Sequence, residues 1–181
     1  MTRLLILYGS EASGKLTIAR QVAARTNLSL FHNHVSIDVG RVLFEYGQEQ
    51  YNDLVWNVRL AVFEAAVKND MPGLIFTWAY SHPDFQPFLD SIFEAIAPYD
   101  VEVNFVFVKC SQAELERRVT NEDRRKAQKT HTIEVLHKQQ EAKNQVEIPN
   151  TNSLIIDSTD LPPEHAARMI IDEYRLDQAG T

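Results

Sequence analysis

One stretch constrains everything around it: "RLLILYGSEASGKLTIARQVA", residues 3–23. An apolar run of strand length ends at Gly9, and a helical pattern begins near Lys15. Gly9 and Gly14 allow the intervening backbone to turn through conformations closed to other residues. In such a turn successive N–H groups converge. The following helix adds its own unpaired N–H groups and the positive end of its dipole. Lys15 contributes a mobile point charge. The residues Gly9, Ser10, Glu11, Ala12, Ser13, Gly14, Lys15, Leu16 and Thr17 therefore read as a cradle for an anionic chain of phosphates. By composition alone, G-x4-G-K-x-T arises in roughly 0.3% of chains this long, and the flanking strand and helix make chance rarer still.

The rest of the chain repeats that alternation. Strand candidates are Arg3–Tyr8, Ser29–His32, Gly73–Trp78, Val101–Lys109 and Ser153–Asp157. Amphipathic segments separate them, such as Tyr51, Leu54, Val55, Val58, Val62 and Ala65 at helical spacing. Strands apolar on both faces, alternating with helices, predict a parallel sheet between two helical layers. Ser111 followed by Glu114 predicts a capping box, and "DLPPE" places a proline in the first turn of the last helix. The polar stretch "TNEDRRKAQKTHT", residues 120–132, reads as an exposed or mobile segment.

Charge and cysteine content narrow the function classes. With 181 residues, 25 acidic against 18 basic side chains and a net charge of −7, the chain fits one domain and argues against a nucleic-acid partner. Cys110 is the sole cysteine, so an internal disulfide is excluded and a reducing, cytoplasmic setting is expected. No apolar run reaches membrane-spanning length, and the one at the start is too short for a signal peptide. Nothing in the sequence specifies an oligomeric state.

Leu16 occupies the position after the lysine, where a hydroxyl normally ligates Mg²⁺. Thr17, one step on, can reach a phosphate oxygen. This arrangement resembles the adenylate kinase family, whose loop runs G-K-G-T and holds Mg²⁺ mostly through water and phosphate oxygens. The chain as a whole is similar to small P-loop kinases, adenylate kinase and shikimate kinase among them. "GKLT", "FHNH" and "PGLIFT" resemble a bacterial group of ATP-binding, kinase-like proteins. The resemblance implies a P-loop NTPase fold, an α/β/α sandwich on a five-stranded parallel sheet of order 2-3-1-4-5. It further implies one domain over 1–181, with a phosphate loop at 9–17, an acceptor region at about 32–70 and a small helical lid at about 117–132. The cofactors would be ATP and Mg²⁺, and the reaction transfer of the γ-phosphoryl group to a small-molecule acceptor.

In shikimate kinase-like enzymes, acids at the end of the second strand serve the metal and the acceptor. Here "LFHNHVSID" puts His32, Asn33 and His34 in that place, and the nearest acid is Asp38. Three readings stand side by side. Asp38 orients the acceptor and serves Mg²⁺ indirectly, as Thr17 does. His34 is the base, since an unperturbed imidazole titrates near neutrality. Or the histidines are simply satisfied strand residues. The spacing from Asp38 to Arg41, D-x-x-R, resembles the adenylate kinase segment that anchors a substrate phosphate. His32, Asn33, Arg41, Arg59 and Tyr80 are the acceptor-contact candidates. Trp78 reads as core, and Thr77 as a possible holder of a water in the metal's shell. Asp157, ending "SLIID", resembles a metal-binding position by pattern, but the last strand borders the base pocket in these kinases.

Arg117 and Arg118, then Arg124, Arg125, Lys126 and Lys129, follow the fourth strand. Their placement matches the family's lid, where guanidinium groups grip phosphate oxygens two at a time and close over ATP. Arg117 and Arg124 are the catalytic candidates there, and Arg118 and Arg125 the ATP contacts. A kinase of a nucleotide or nucleoside, a kinase of a sugar-, shikimate- or antibiotic-like alcohol, and a nucleotide-binding ATPase or switch are the three functions to separate. The last lacks the N-K-x-D base-reading motif of a GTPase.

Overall fold

The computed structural model describes residues 1–80, 84–126, 129–142 and 146–176. In chain order its elements are β1 (Thr2–Tyr8), α1 (Lys15–Ala23), β2 (Ser29–His32), α2 (Asn33–Leu43), α3 (Glu49–Lys68), β3 (Gly73–Trp78) and α4 (Gln86–Ile96). They continue with β4 (Val101–Lys109), α5 (Gln112–Val119), α6 (Glu122–Lys126), α7 (Ile133–Ala142), β5 (Leu154–Asp157) and α8 (Pro163–Glu173). The five strands form one parallel sheet of order β2-β3-β1-β4-β5, as expected.

β1 runs through the middle, and its alternating residues feed two different cores. Leu4, Ile6 and Tyr8 pack on one face with Phe63 and Ala66 of α3 and Phe88, Leu89 and Ile92 of α4. Leu5 and Leu7 pack on the other with Ile18, Ala19 and Val22 of α1 and Ala166, Ala167 and Ile170 of α8. Leu4 to Tyr8 are all fully buried, and each such aliphatic side chain contributes about 1.5–3 kcal/mol. Two-sided burial is why β1 reads as an unbroken apolar run. It also fixes where the strand ends, and so where the glycine loop projects.

One local expectation needs correction. Ser111 does cap α5, its hydroxyl accepting the Glu114 N–H, but the reciprocal half of the box is not formed. The Ser111 N–H donates to Thr159 Oγ1 instead, and the Glu114 carboxylate is taken by arginines. Within the polar stretch 120–132, Glu122–Lys126 form a short helix with acids in its first turn and bases in its last, in keeping with the small helical lid expected there. Among the described residues, no helix is long and apolar enough to cross a membrane.

Candidate active site at the carboxyl ends of the strands

The glycine loop leaves β1 with Gly9 at φ +138°. A Cβ there would lie 2.3 Å from the Val108 carbonyl oxygen of β4, so the loop approaches the neighbouring strand as only glycine permits. Ala12 (φ +63°) and Gly14 (φ +89°) continue the turn, and the Ser13 N–H donates to the Ser10 carbonyl at 3.3 Å. Gly14 is also the N-cap of α1, with no side-chain cap and no acid in the first turn. The helix thus presents its dipole end to the loop without an anionic side chain of its own. The Lys15 ammonium folds back over the loop. It donates to the Gly9 carbonyl at 2.9 Å, to the Ser10 carbonyl and to Ser13 Oγ at 3.2 Å.

The cations after β4 divide into two groups. Arg117 lies largely in solvent and chelates Glu114 through Nε and Nη2, both at 2.6 Å. Arg118 donates to Glu114 at 2.6 Å and to the Ser158 and Thr159 carbonyls at 2.7 and 3.1 Å. These two guanidinium groups, Arg117 before Arg118, hold the Glu114 carboxyl down at about 2. Arg124, half-buried like Arg118, differs in its partners: its Nε donates to the Thr130 carbonyl at 2.8 Å, and Glu11 of the glycine loop is the charge that acts on it. Lys129 lies with it, its ammonium depressed by burial and then by Arg124 and Arg20. Arg125 is exposed on α6. The segment after β4 rests on the loop itself, since Leu136 of α7 packs with Ala12, Leu115 and Val119. Ala127 and Gln128, within the expected lid, lie outside the described residues.

β2 passes into α2 without an intervening loop, and the Asn33 N–H is received by Thr77 Oγ1 at 3.4 Å, at the end of β3. Thr77 is buried there, so its hydroxyl serves a helix start. The His32 and His34 rings lie 6.3 Å apart, and the Nδ1 atoms of both are buried without a hydrogen-bond partner. Burial and then Lys129 push His32 below its ordinary value and His34 down to about 4. Both are neutral at pH 7, and His34 is no stronger a base than a carboxylate. Asp38 is exposed and sits 3.7 Å from Arg41 on the next turn.

Arg59 is the most constrained cation where α2 meets α3. Its Nε donates to Ser36 Oγ at 2.9 Å and its Nη2 to Asn33 Oδ1. Its guanidinium carbon stands 5.8 and 5.6 Å from the Phe76 and Phe88 ring centres. No carboxylate pairs with it among the described residues, and burial pulls it down to about 10. The buried Tyr51 hydroxyl, also without a partner, belongs to the same helix. Tyr80, an acceptor-contact candidate, is placed in the core: it is 1% exposed, edge-on to Tyr8 and Trp78, with its hydroxyl donating to Gln86. Trp78 is core as expected.

Sequence reasoning passed over Arg20, Ser158 and the role of Lys129. Arg20 and Lys129 act electrostatically on the histidine cluster, and only the docking of three separate elements brings them together. Among the described residues no three His, Cys, Asp or Glu side chains are grouped to hold a metal ion. The exposed Thr17 hydroxyl and Asp38 carboxylate are hard oxygen donors suited to a hydrated Mg²⁺ held mainly by phosphate oxygens.

No family model matches the sequence, and no curated protein matches it. The fold is similar to several solved structures over nearly the whole chain. A sugar kinase from Janibacter sp. HTCC2649 superposes with TM-score 0.71 at 17% identity, over 97% of this chain and 96% of its own. The tunicamycin resistance protein of Deinococcus radiodurans gives TM-score 0.66 at 14% identity, covering both chains fully. The Mycobacterium tuberculosis APS kinase CysC, solved with AMPPNP and APS, gives 0.62 at 15% identity, over 96% of this chain and 98% of its own. The chain therefore has the fold of P-loop kinases.

Proposed function

We propose that the chain is an ATP-dependent phosphotransferase that moves the γ-phosphoryl group of ATP to a hydroxyl of a small molecule. The observation that carries this reading is the strand–glycine loop–helix unit with the Lys15 ammonium lying over it. Main-chain amides from Gly9 to Thr17 bind the β- and γ-phosphates, and Lys15 exchanges its loop carbonyls for phosphate oxygens. Arg124, with Lys129 beside it, faces the transferring group from the lid, a placement supported by its half-burial and by the Glu11 charge of the loop acting on it. Arg117 and Arg118 hold the lid's root through Glu114, and Arg118 borders the nucleotide. Mg²⁺, when bound, neutralises charge on the β- and γ-phosphates. Thr17 and Asp38 would hold it through water. Positioning and electrostatics supply most of the catalysis in such a transfer, so a weak base suffices. Asp38 and His34 are its two candidates.

Two observations favour a compact anionic alcohol over a nucleoside as the acceptor. Trp78 and Tyr80, the rings at the end of β3, are enclosed in the core and offer no open face for a base. Arg59 is a half-buried cation that no carboxylate pairs with among the described residues, so an acceptor carboxylate or phosphate would complete its coordination. Asn33, His32, Arg41 and Tyr51 then surround the acceptor's remaining polar groups.

The test is a coupled-enzyme screen with ATP and Mg²⁺ across hydroxy acids, sugar acids, neutral sugars, aminoglycosides and nucleoside monophosphates. Turnover is expected with an anionic alcohol. Turnover confined to nucleoside monophosphates would restore the nucleotide reading. ATP binding with no transfer to any acceptor would favour an ATPase or switch.

A further inference from the structure

Ser158 lies just beyond β5, far from the glycine loop in sequence and against it in space. It is 2% exposed. Its hydroxyl donates to the Ser13 carbonyl at 2.7 Å and lies 3.0 Å from the Lys109 carbonyl at the end of β4. The same oxygen accepts from Arg118 Nη1 at 3.3 Å. Its main chain is fixed as well: the Ser158 N–H donates to the Lys109 carbonyl at 2.9 Å, and the Ser158 carbonyl accepts from Arg118 Nη2 at 2.7 Å. Arg118 is in turn held by Glu114. This one hydroxyl is therefore clamped by β4, β5 and α5 while it grips the loop.

The atom it grips matters. The Ser13 carbonyl and the Gly14 N–H belong to one planar trans peptide and point in opposite directions. Holding the carbonyl toward Ser158 aims the Gly14 N–H the other way. The peptide is flanked by a glycine at φ +89°, whose lack of a Cβ leaves a flip of that peptide with little steric resistance. A flipped peptide would turn a carbonyl oxygen, in place of an N–H, toward an incoming phosphate.

We propose that Ser158 is a positioning residue that locks the Ser13–Gly14 peptide in its anion-binding orientation. It acts directly from the β5 side and is itself held in place by the Glu114–Arg118 pair. The inference rests on the reading of residues 9–17 as a polyphosphate cradle and adds to it a determinant outside the motif.

Titration calorimetry of the full chain with inorganic tripolyphosphate and with ATP, both with Mg²⁺, tests it in wild type, Ser158→Ala and Ser158→Thr. One lost hydrogen bond corresponds to about 5- to 10-fold weaker binding. Ser158→Ala should weaken both ligands by that same factor, raise the KM for ATP in step and leave kcat within about 2-fold. Ser158→Thr, which keeps the hydroxyl, should restore affinity to within about 2-fold. A lower melting temperature with unchanged affinity for both ligands would overturn the proposal, since that is what a purely structural residue gives. A crystal structure of Ser158→Ala separates this claim from the one beneath it. An unflipped, well-ordered Ser13–Gly14 peptide overturns the lock, whereas wild-type protein that binds neither ligand overturns the cradle.

Discussion

The glycine loop and the proposed acceptor region are built from different materials. The loop is main-chain architecture: Gly9 against the Val108 carbonyl, a turn closed by Ser13 on Ser10, and a lysine bonded to its own loop. The latter is side-chain architecture assembled from α2, α3, β3 and α4, with Arg59 held by Ser36 and Asn33 close to the Phe76 and Phe88 rings. A site made of backbone depends on a short, contiguous pattern with glycine at set positions, and tolerates Leu16 where a hydroxyl is usual. A site made of side chains depends on which helix faces dock, and can change its ligand by exchanging one residue. The first should be hard to alter without losing the fold or the nucleotide. The second should change selectivity alone.

Substitutions at the two sites should separate along that line. The largest expected effect is from Lys15→Ala, which removes the charge proposed to meet the phosphates. Its kcat/KM should fall by at least about 100-fold with any acceptor, and steady-state kinetics with two different acceptors checks this. A loss seen with only one of them would break the comparison. Arg59→Met comes next, keeping the aliphatic packing against Phe76 and Phe88 while deleting the cation. The acceptor KM should rise about 10- to 100-fold with the ATP KM unchanged. A rise confined to ATP would place Arg59 on the wrong side of the site.

The lid offers a smaller effect. Arg124→Ala should lower kcat about 10-fold or more with little change in ATP affinity, whereas Arg117→Ala, at an exposed position, should stay within about 2-fold. Single-turnover measurements with each variant distinguish them, and equal losses would contradict the division of the arginines drawn from burial.

The smallest effect is on stability against pH. His34 titrates near 4 in the folded chain and near the ordinary 6.5 when unfolded. Between those values the unfolded state binds the extra proton, so stability is complete above about 6.5 and declines as pH falls toward about 4. Urea midpoints for wild type and His34→Gln at the two ends of that window should converge at the acid end relative to neutral pH. Parallel declines would show that His34 is not desolvated.

Much of this architecture is legible in the sequence, for a physical reason. β1, β3 and β4 are buried on both faces, so their apolar runs are unambiguous, and the observed strands match those read from the pattern to within a residue. The glycine loop is legible because its conformational demands fall on residue type. The acceptor region is not, because Arg59, Ser36 and Asn33 meet only once α2 packs on α3. Arg117 and Arg124 look equivalent in sequence, and only Glu114 on the one side and Glu11 on the other separate them. Tyr80 could be read as a ring beside the site, yet Tyr8 and Trp78 enclose it. Ser158 carries no motif at all, since its partner lies across the fold.

The most direct test of the central claim is a crystal structure with a non-hydrolysable ATP analogue and Mg²⁺. The account predicts the β-phosphate enclosed by main-chain amides of residues 9–17, with the Lys15 ammonium moved from the Gly9 and Ser10 carbonyls onto phosphate oxygens. A nucleotide bound elsewhere, with Lys15 still on those carbonyls, would contradict it.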